Sequence, residues 1–474
     1  MRAGPRFVAR TAGLPNDQTD GRRPMNPLLH DAARRASSYL DGLAERAVQP
    51  DAAALARLAE LDEPMPAHPQ PAEAVLRRLD ELGSPATVAS AGGRFFGFVV
   101  GGAMPVTVAA NWLATAWDQN AANPSTAPGA VAFERVALRW LLELLDLPRD
   151  AAGAFVTGTT MGNLCALAAA RHAVLERAGW DVEADGLFGA PPITVVVGAE
   201  AHPTLFKALG VLGLGRNRVV TVPADAQGRM RADRLPRLTG PGIVCVQAGN
   251  VNTGAFDPVG DVCAQAHLDG AWVHVDGAFG LWAQAVPALR HLCAGVEQAD
   301  SWATDAHKWL NVPYDSGLAF VRDANAMRAA MSVTAAYLPT VDGARTPSDF
   351  TPELSRRARG VDVWAALSTL GRSGVAALVE RCCTHARAFA HGLRAAGFEV
   401  LNDVALNQVL VRFGGTQTTQ RTIAALQADG TCWCGLTQWQ GHAAMRISVS
   451  SWATTEVDVR RSLDAIVRAA NDKA

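Results

Sequence analysis

Lys308 stands in the run Thr304-Asp305-Ala306-His307-Lys308-Trp309, just after the strand-like Ser301-Trp302-Ala303. Asp276 closes an earlier apolar run, Val273-His274-Val275-Asp276. A lysine amine condenses with an aldehyde to form a Schiff base, and a carboxylate at the end of a buried strand keeps a pyridine nitrogen protonated, so that the ring accepts electrons. Together, in this order, the two residues suit pyridoxal phosphate chemistry. Taken singly each has a plainer reading: a lone lysine is usually a solvated charge, and an aspartate often caps a helix. The flanking His307 and Trp309 form a burial-prone aromatic setting that favours imine formation at Lys308.

Two further segments fit the same chemistry. Thr157-Gly158-Thr159-Thr160 follows the apolar Ala154-Phe155-Val156 and opens a helical pattern running from Leu164 to Leu175. Free N–H groups and the helix dipole at such a turn attract phosphate, although any N-cap has the same look. His202 follows the run ending at Val197, at the carboxyl end of a strand, where α/β sheets hold ligands. There it can stack on one face of a flat ring while Ala278, in Gly277-Ala278-Phe279-Gly280, meets the other.

The elements that must position these residues alternate. Short β-branched runs at Ile193–Val197, Val219–Val222, Ile243–Val246 and Trp272–Val275 are separated by helical stretches. Continuous apolar strands between helices predict an α/β protein with a mostly parallel sheet covered on both faces. Residues 1–24 read as a disordered tail and 25–90 as an N-terminal helical arm. The large domain spans 91–360, and 361–474 form a linking helix and a small α+β domain. The first residues carry arginines without an apolar core, which excludes a secretory signal.

With 474 residues, 49% of them apolar and 19% charged, the chain has the composition of a globular enzyme. A net charge of −2 offers nothing to nucleic acid or an anionic membrane, and no apolar run is long enough to span a bilayer. Eight cysteines in so long a chain read as buried free thiols of a cytoplasmic protein. No metal site is expected, because Cys432-Trp433-Cys434 lacks ligand spacing and a second pair.

These motifs together resemble the group II pyridoxal-phosphate-dependent decarboxylases, which include aromatic amino acid decarboxylase and glutamate decarboxylase. The resemblance runs from about Asn26 to the C-terminus. It implies the aspartate aminotransferase-like fold type I, a homodimer with shared active sites, and decarboxylation of an L-amino acid to its amine and CO₂. Gly158, Thr159 and Thr160 resemble the phosphate turn, His202 the stacking histidine, and Asn250 part of a turn near the cofactor. Asp276, Ala278, His307 and Lys308 match the pyridinium acid, the ring-packing alanine and the His-Lys pair. Arg94, Phe95 and Phe96 resemble a substrate-side loop, and Arg446 a landmark of the small domain. Arg94 suits an acidic substrate or a structural role; Phe95 and Phe96 suit an aromatic substrate or the core.

Two departures stand out. Asp305 replaces a typical asparagine, and since a carboxylate facing phosphate is repulsive it receives no role. Phe350 stands where the aromatic decarboxylases use a tyrosine to reprotonate the α-carbon. That substitution accompanies aldehyde formation in relatives, although Tyr337 nearby offers a hydroxyl. Alternatives to the amine-forming reading are therefore an aldehyde-forming decarboxylase or a related carbon–carbon lyase, an aminotransferase, and a homologue without turnover.

Overall fold

The computed structural model describes residues 26–333 and 345–472. Tyr337 lies outside them, as does the tail. The chain divides into two compact units, one within Met1–Glu45 and Pro50–Thr87, the other comprising Arg46–Gln49 and Val88–Ala474. Residues 46–49 and 88–90 of the expected arm thus belong with the second unit. In the first unit, the Asn26 side chain accepts from Leu28 N and Pro27 begins the helix Pro27–Asp41. Arg35 on that helix reaches both Asp31 and Asp80, each at 2.8 Å, and so ties it to the helix Ala72–Ala86.

The second unit is built on seven strands: β1 (Ala152–Val156), β2 (Thr194–Gly198), β3 (Val220–Val222), β4 (Gly242–Gln247), β5 (Trp272–Asp276), β6 (Ser301–Asp305) and β7 (Gly317–Val321). Their order across the sheet is β1-β7-β6-β5-β4-β2-β3. The pairs β2–β3, β2–β4, β4–β5 and β5–β6 are parallel, whereas β7 is antiparallel to both neighbours. Six strands therefore run one way and β7 alone is reversed. Alternate residues feed opposite faces. Phe155, Val196, Val244, Val273 and Phe320 enter one core, while Val156, Val197, Ile243, Trp272 and Val321 enter the other. Both faces are covered, which is why these strands read as unbroken apolar runs.

A four-stranded antiparallel sheet follows: β8 (Glu399–Val400), β9 (Gln408–Arg412), β10 (Gly435–Trp439) and β11 (His442–Ser448), in the order β10-β11-β9-β8. The helix Arg359–Ala395 that leads into it is interrupted at Gly371, whose φ of 59° is a left-handed value that glycine adopts without a Cβ penalty. No helix among the described residues is long and apolar enough to cross a membrane.

Candidate active site

Because β1, β2, β4, β5 and β6 share a direction, the loops after them meet at one edge of the sheet. There they enclose a cleft of about 350 Å³ lined by Thr157–Thr160, His202, Asp276, Ala278, His307 and Lys308. The turn after β1 opens the helix Thr159–Glu176. It packs tightly on β7: a Cβ on Gly317 would lie 2.4 Å from Gly158 Cα, so neither backbone has room to retreat. The hydroxyl of Thr159 is buried and has no hydrogen-bond partner among the described residues.

Lys308 sits on a single helical turn, Ala306–Trp309, directly after β6. Its Nζ lies 3.0 Å from Oδ2 of Asp305, whose Oδ1 accepts from the backbone N of Thr159 at 2.7 Å. Asp305 thus joins the turn after β1 to the lysine, a position sequence reasoning declined to assign on grounds of phosphate repulsion. Burial alone pushes its pKa up, but the opposing charges of Lys308 and His307 outweigh this and hold it below the usual carboxylate value.

At the other end of the cleft, Asp276 is buried, accepting from Asn163 Nδ2 at 3.0 Å and from Ala278 N at 3.2 Å. His202 caps the helix Pro203–Val211, with Nδ1 2.7 Å from Thr204 Oγ1, and burial lowers its pKa. His307 accepts from Ser316 N through Nδ1 at 3.0 Å, which places the proton of the neutral ring on Nε2. Burial lowers its pKa as well. The Tyr314 ring lies 4.3 Å from it, centroid to centroid, and burial followed by Asp305 pushes the Tyr314 hydroxyl up to about 12. Tyr314 and Gln247 line the cleft and were not singled out from sequence, because neither lies in a motif with its own chemistry.

Arg446 on β11 donates to Val251 O at 3.4 Å, and Val251 borders the cleft. Burial lowers its pKa, and among the described residues no carboxylate lies within ion-pair distance of it.

Other expected site residues lie outside this chain's cleft. The Arg94 guanidinium turns to the carbonyls of Thr431 and Arg46 and stands 3.8 Å from Asp458. Its surroundings are those of the structural alternative, since a buried guanidinium seeks backbone acceptors. Phe95 stacks on Trp433 at 5.0 Å, and Phe96 meets Phe389 edge-on at the same distance. Phe350 packs on the core with Arg345 4.4 Å above its ring. Asn250 is buried as a turn-former, its Oδ1 accepting from Asn252 N and Thr253 N. All eight cysteines are buried free thiols, and no metal-binding cluster occurs among the described residues.

The family model for the pyridoxal-dependent decarboxylase conserved domain matches residues 55–413. The chain belongs to that family. A tryptophan decarboxylase of Oryza sativa subsp. japonica is 29% identical over 369 residues, covering 72% of this chain and 71% of the relative. An L-2,4-diaminobutyrate decarboxylase of Rhizobium meliloti (strain 1021) is 29% identical over 384 residues, covering 77% and 74%. The crystal structure of Oryza sativa TDC with PLP and tryptamine superposes with a TM-score of 0.88 at 24% identity, covering 95% of this chain and 99% of that one. This decarboxylase is thus a pyridoxal-phosphate-dependent enzyme acting on amino acids. Its cleft fits the cofactor: it offers an amine, a buried carboxylate and, at the helix N-terminus, an unpartnered buried hydroxyl.

Proposed function

We propose that this enzyme decarboxylates an L-amino acid to its amine, with Lys308 as the lysine that takes the cofactor and Asp276 as the partner of the ring nitrogen. Pyridoxal phosphate, when bound, supplies an aldehyde for amine exchange and a protonated ring that accepts the electron pair of the broken Cα–carboxylate bond. The observation that carries the reading is the convergence of Lys308, Asp276, His202 and the Thr157–Thr160 turn on one cleft.

Each residue has a definable task. The turn and the Thr159 hydroxyl hold phosphate at the N-terminus of the helix Thr159–Glu176. Asp305 orients Lys308 before the cofactor arrives. Ala278 and His202 close on the two faces of a flat ring, and Asn250 sustains the turn beside them. Arg446, a half-buried guanidinium with no acid partner among the described residues, attracts a substrate carboxylate. His307 and Tyr314 border the cleft on the lysine side. Tyr314, His307, Lys308 and Tyr337 are the groups from which the α-carbon takes its proton.

The assembly is a homodimer with shared sites. The helix Pro105–Trp117 supports this by exposing Val106, Trp112, Leu113 and Trp117, a large apolar face for one helix. Arg94, Phe95 and Phe96 then belong to a loop that contributes substrate contacts across the interface. Buried free thiols fit a reducing cytoplasm. The relatives act by name on substrates as different as tryptophan and diaminobutyrate, so the substrate is kept at the level of an L-amino acid.

Purified protein is expected to show visible absorbance from lysine-bound cofactor, lost on borohydride reduction and absent from Lys308→Ala. An amino-acid panel scored for CO₂ and amine follows; no band with added cofactor would refute the assignment of Lys308. Phe350, which packs on the core outside this chain's cleft, carries a second reading from its place in the sequence alone: aldehyde formation, in which dioxygen is the oxidant and is reduced to hydrogen peroxide while CO₂ and ammonia leave. It predicts aldehyde and peroxide from the wild type and a shift toward amine in Phe350→Tyr; unchanged yields exclude it.

A further inference from the structure

The carboxylate of Asp276 ends a chain of four hydrogen bonds that runs away from the cleft into the sheet. Trp272, His274 and Asp276 alternate along β5 and therefore share one face. Ser301 is the β6 residue directly opposite His274 in the register. Asn163 comes from the helix that opens with the Thr157–Thr160 turn. All five side chains are buried, and His274, Ser301 and Asn163 have no exposed surface at all.

The chemistry of the groups fixes the direction of every bond. An indole N–H only donates, so Trp272 Nε1 gives its hydrogen to Ser301 Oγ, 2.8 Å away. The serine hydrogen is then available for His274 Nδ1 at 3.0 Å. Burial lowers the His274 pKa to about 4, so the ring is neutral in a neutral cell, and its single hydrogen is on Nε2. That hydrogen meets Asn163 Oδ1 at 3.0 Å, leaving Asn163 Nδ2 to donate to Asp276 Oδ2, also at 3.0 Å. Flipping the amide would set its oxygen against the carboxylate and its nitrogen against an N–H donor. Aligned bonds of this kind reinforce one another at low dielectric.

We propose that Trp272, Ser301, His274 and Asn163 form a one-way relay that locks the Asp276 carboxylate as an acceptor, with Asn163 and His274 as positioning residues for the decarboxylation. A donor aimed at a carboxylate favours its ionised form; removing that donor makes the carboxylate more basic. The proton shared with a ring nitrogen then moves toward Asp276, and the ring loses its power to accept electrons. Because Asn163 and the phosphate turn lie on one helix, the relay also ties the two ends of the cleft together. The inference rests on reading Asp276 as the ring-nitrogen partner.

The test uses holoenzyme carrying cofactor labelled with ¹⁵N in the ring, followed by its nitrogen resonance alongside steady-state kinetics. In folded, cofactor-loaded Asn163→Leu and His274→Phe, the resonance is expected to move toward that of an unprotonated pyridine. A kcat loss of roughly 10- to 100-fold with little change in KM is expected beside it, the range seen when an outer-shell partner is removed. His274→Gln, which retains an N–H donor, recovers part of both. Ser301→Ala gives a smaller shift of the same sign and serves should the larger substitutions fail to fold. Asp276→Asn is the control. A resonance that moves in the control but in no relay variant overturns the proposal, whereas one unmoved even in the control overturns the reading of Asp276 and the relay with it.

Discussion

The pair between Lys308 and Asp305 makes the lysine structural before it is chemical. At 3.0 Å and an effective dielectric of about 20, the attraction is 332/(20 × 3.0), or about 5.5 kcal/mol. Desolvation offsets part of this, and the Lys308 side chain keeps 20% of its exposure, so a net coupling of about 2–4 kcal/mol is expected. The assay is a double-mutant cycle on cofactor-free protein. Lys308→Ala, Asp305→Asn and the double variant are compared by urea unfolding at pH 7.5, with tryptophan fluorescence as the signal. The double variant should be less destabilised than the sum of the two single variants, by the coupling energy. Asp305 has a depressed folded pKa, so its contribution is present above the unfolded value of about 3.9 and is lost as pH falls through the lower folded value. The coupling should therefore persist at pH 5.5. A coupling below about 0.5 kcal/mol at both pH values would refute the argument, and His307, with Nε2 3.6 Å from Asp305, would then be the partner that matters.

Three other outcomes are expected. His274 has a folded pKa of about 4 against 6.5, so the folded state resists a proton that the unfolded chain accepts. Its contribution is complete above pH 6.5 and falls by up to about 3 kcal/mol toward pH 4; the stability difference between wild type and His274→Gln should shrink over that window, and a constant difference contradicts it. In Gly101→Ala the new Cβ would sit 1.7 Å from the carbonyl oxygen of Lys308, so the lysine turn must shift. Cofactor affinity, measured by equilibrium titration, should drop more than about tenfold, since small displacements of a reacting group are costly. Finally, native protein should react with a thiol reagent such as DTNB only on unfolding, as every cysteine is buried; rapid native modification of even one would contradict the packing.

The site was legible where chemistry coincided with a strand end. Asp276 and His202 follow apolar runs and Lys308 follows the mixed strand Ser301–Asp305, and a parallel sheet brings such ends to one edge whatever the loops between them. The reversed β7 was not read, because Gly317–Val321 follows so closely on the lysine turn that it passed for loop. β10 was missed for another reason: Gly435-Leu436-Thr437-Gln438-Trp439 is half polar and largely unburied, its pairing set by β11. Arg94 illustrates the limit of charge as a cue. Its partners Thr431 and Asp458 are hundreds of residues away, and backbone carbonyls leave no mark in a sequence. Asn163 was not singled out, since its contacts are with His274 and Asp276, more than a hundred residues away.

The place of β7 in the sheet also bears on what the cleft can hold. Although β7 is inserted between β1 and β6, the helix after β1 spans their ends: Thr159 N lies 2.7 Å from Asp305 at the end of β6, and Asn163 lies 3.0 Å from Asp276 at the end of β5. On the proposed reading, a molecule with an anion for the turn and a ring-borne basic nitrogen for Asp276 engages both stations at once. A vitamer without its phosphate reaches two of the three anchors. On that reading, the phosphorylated cofactor is therefore expected to bind more tightly than its free alcohol or aldehyde.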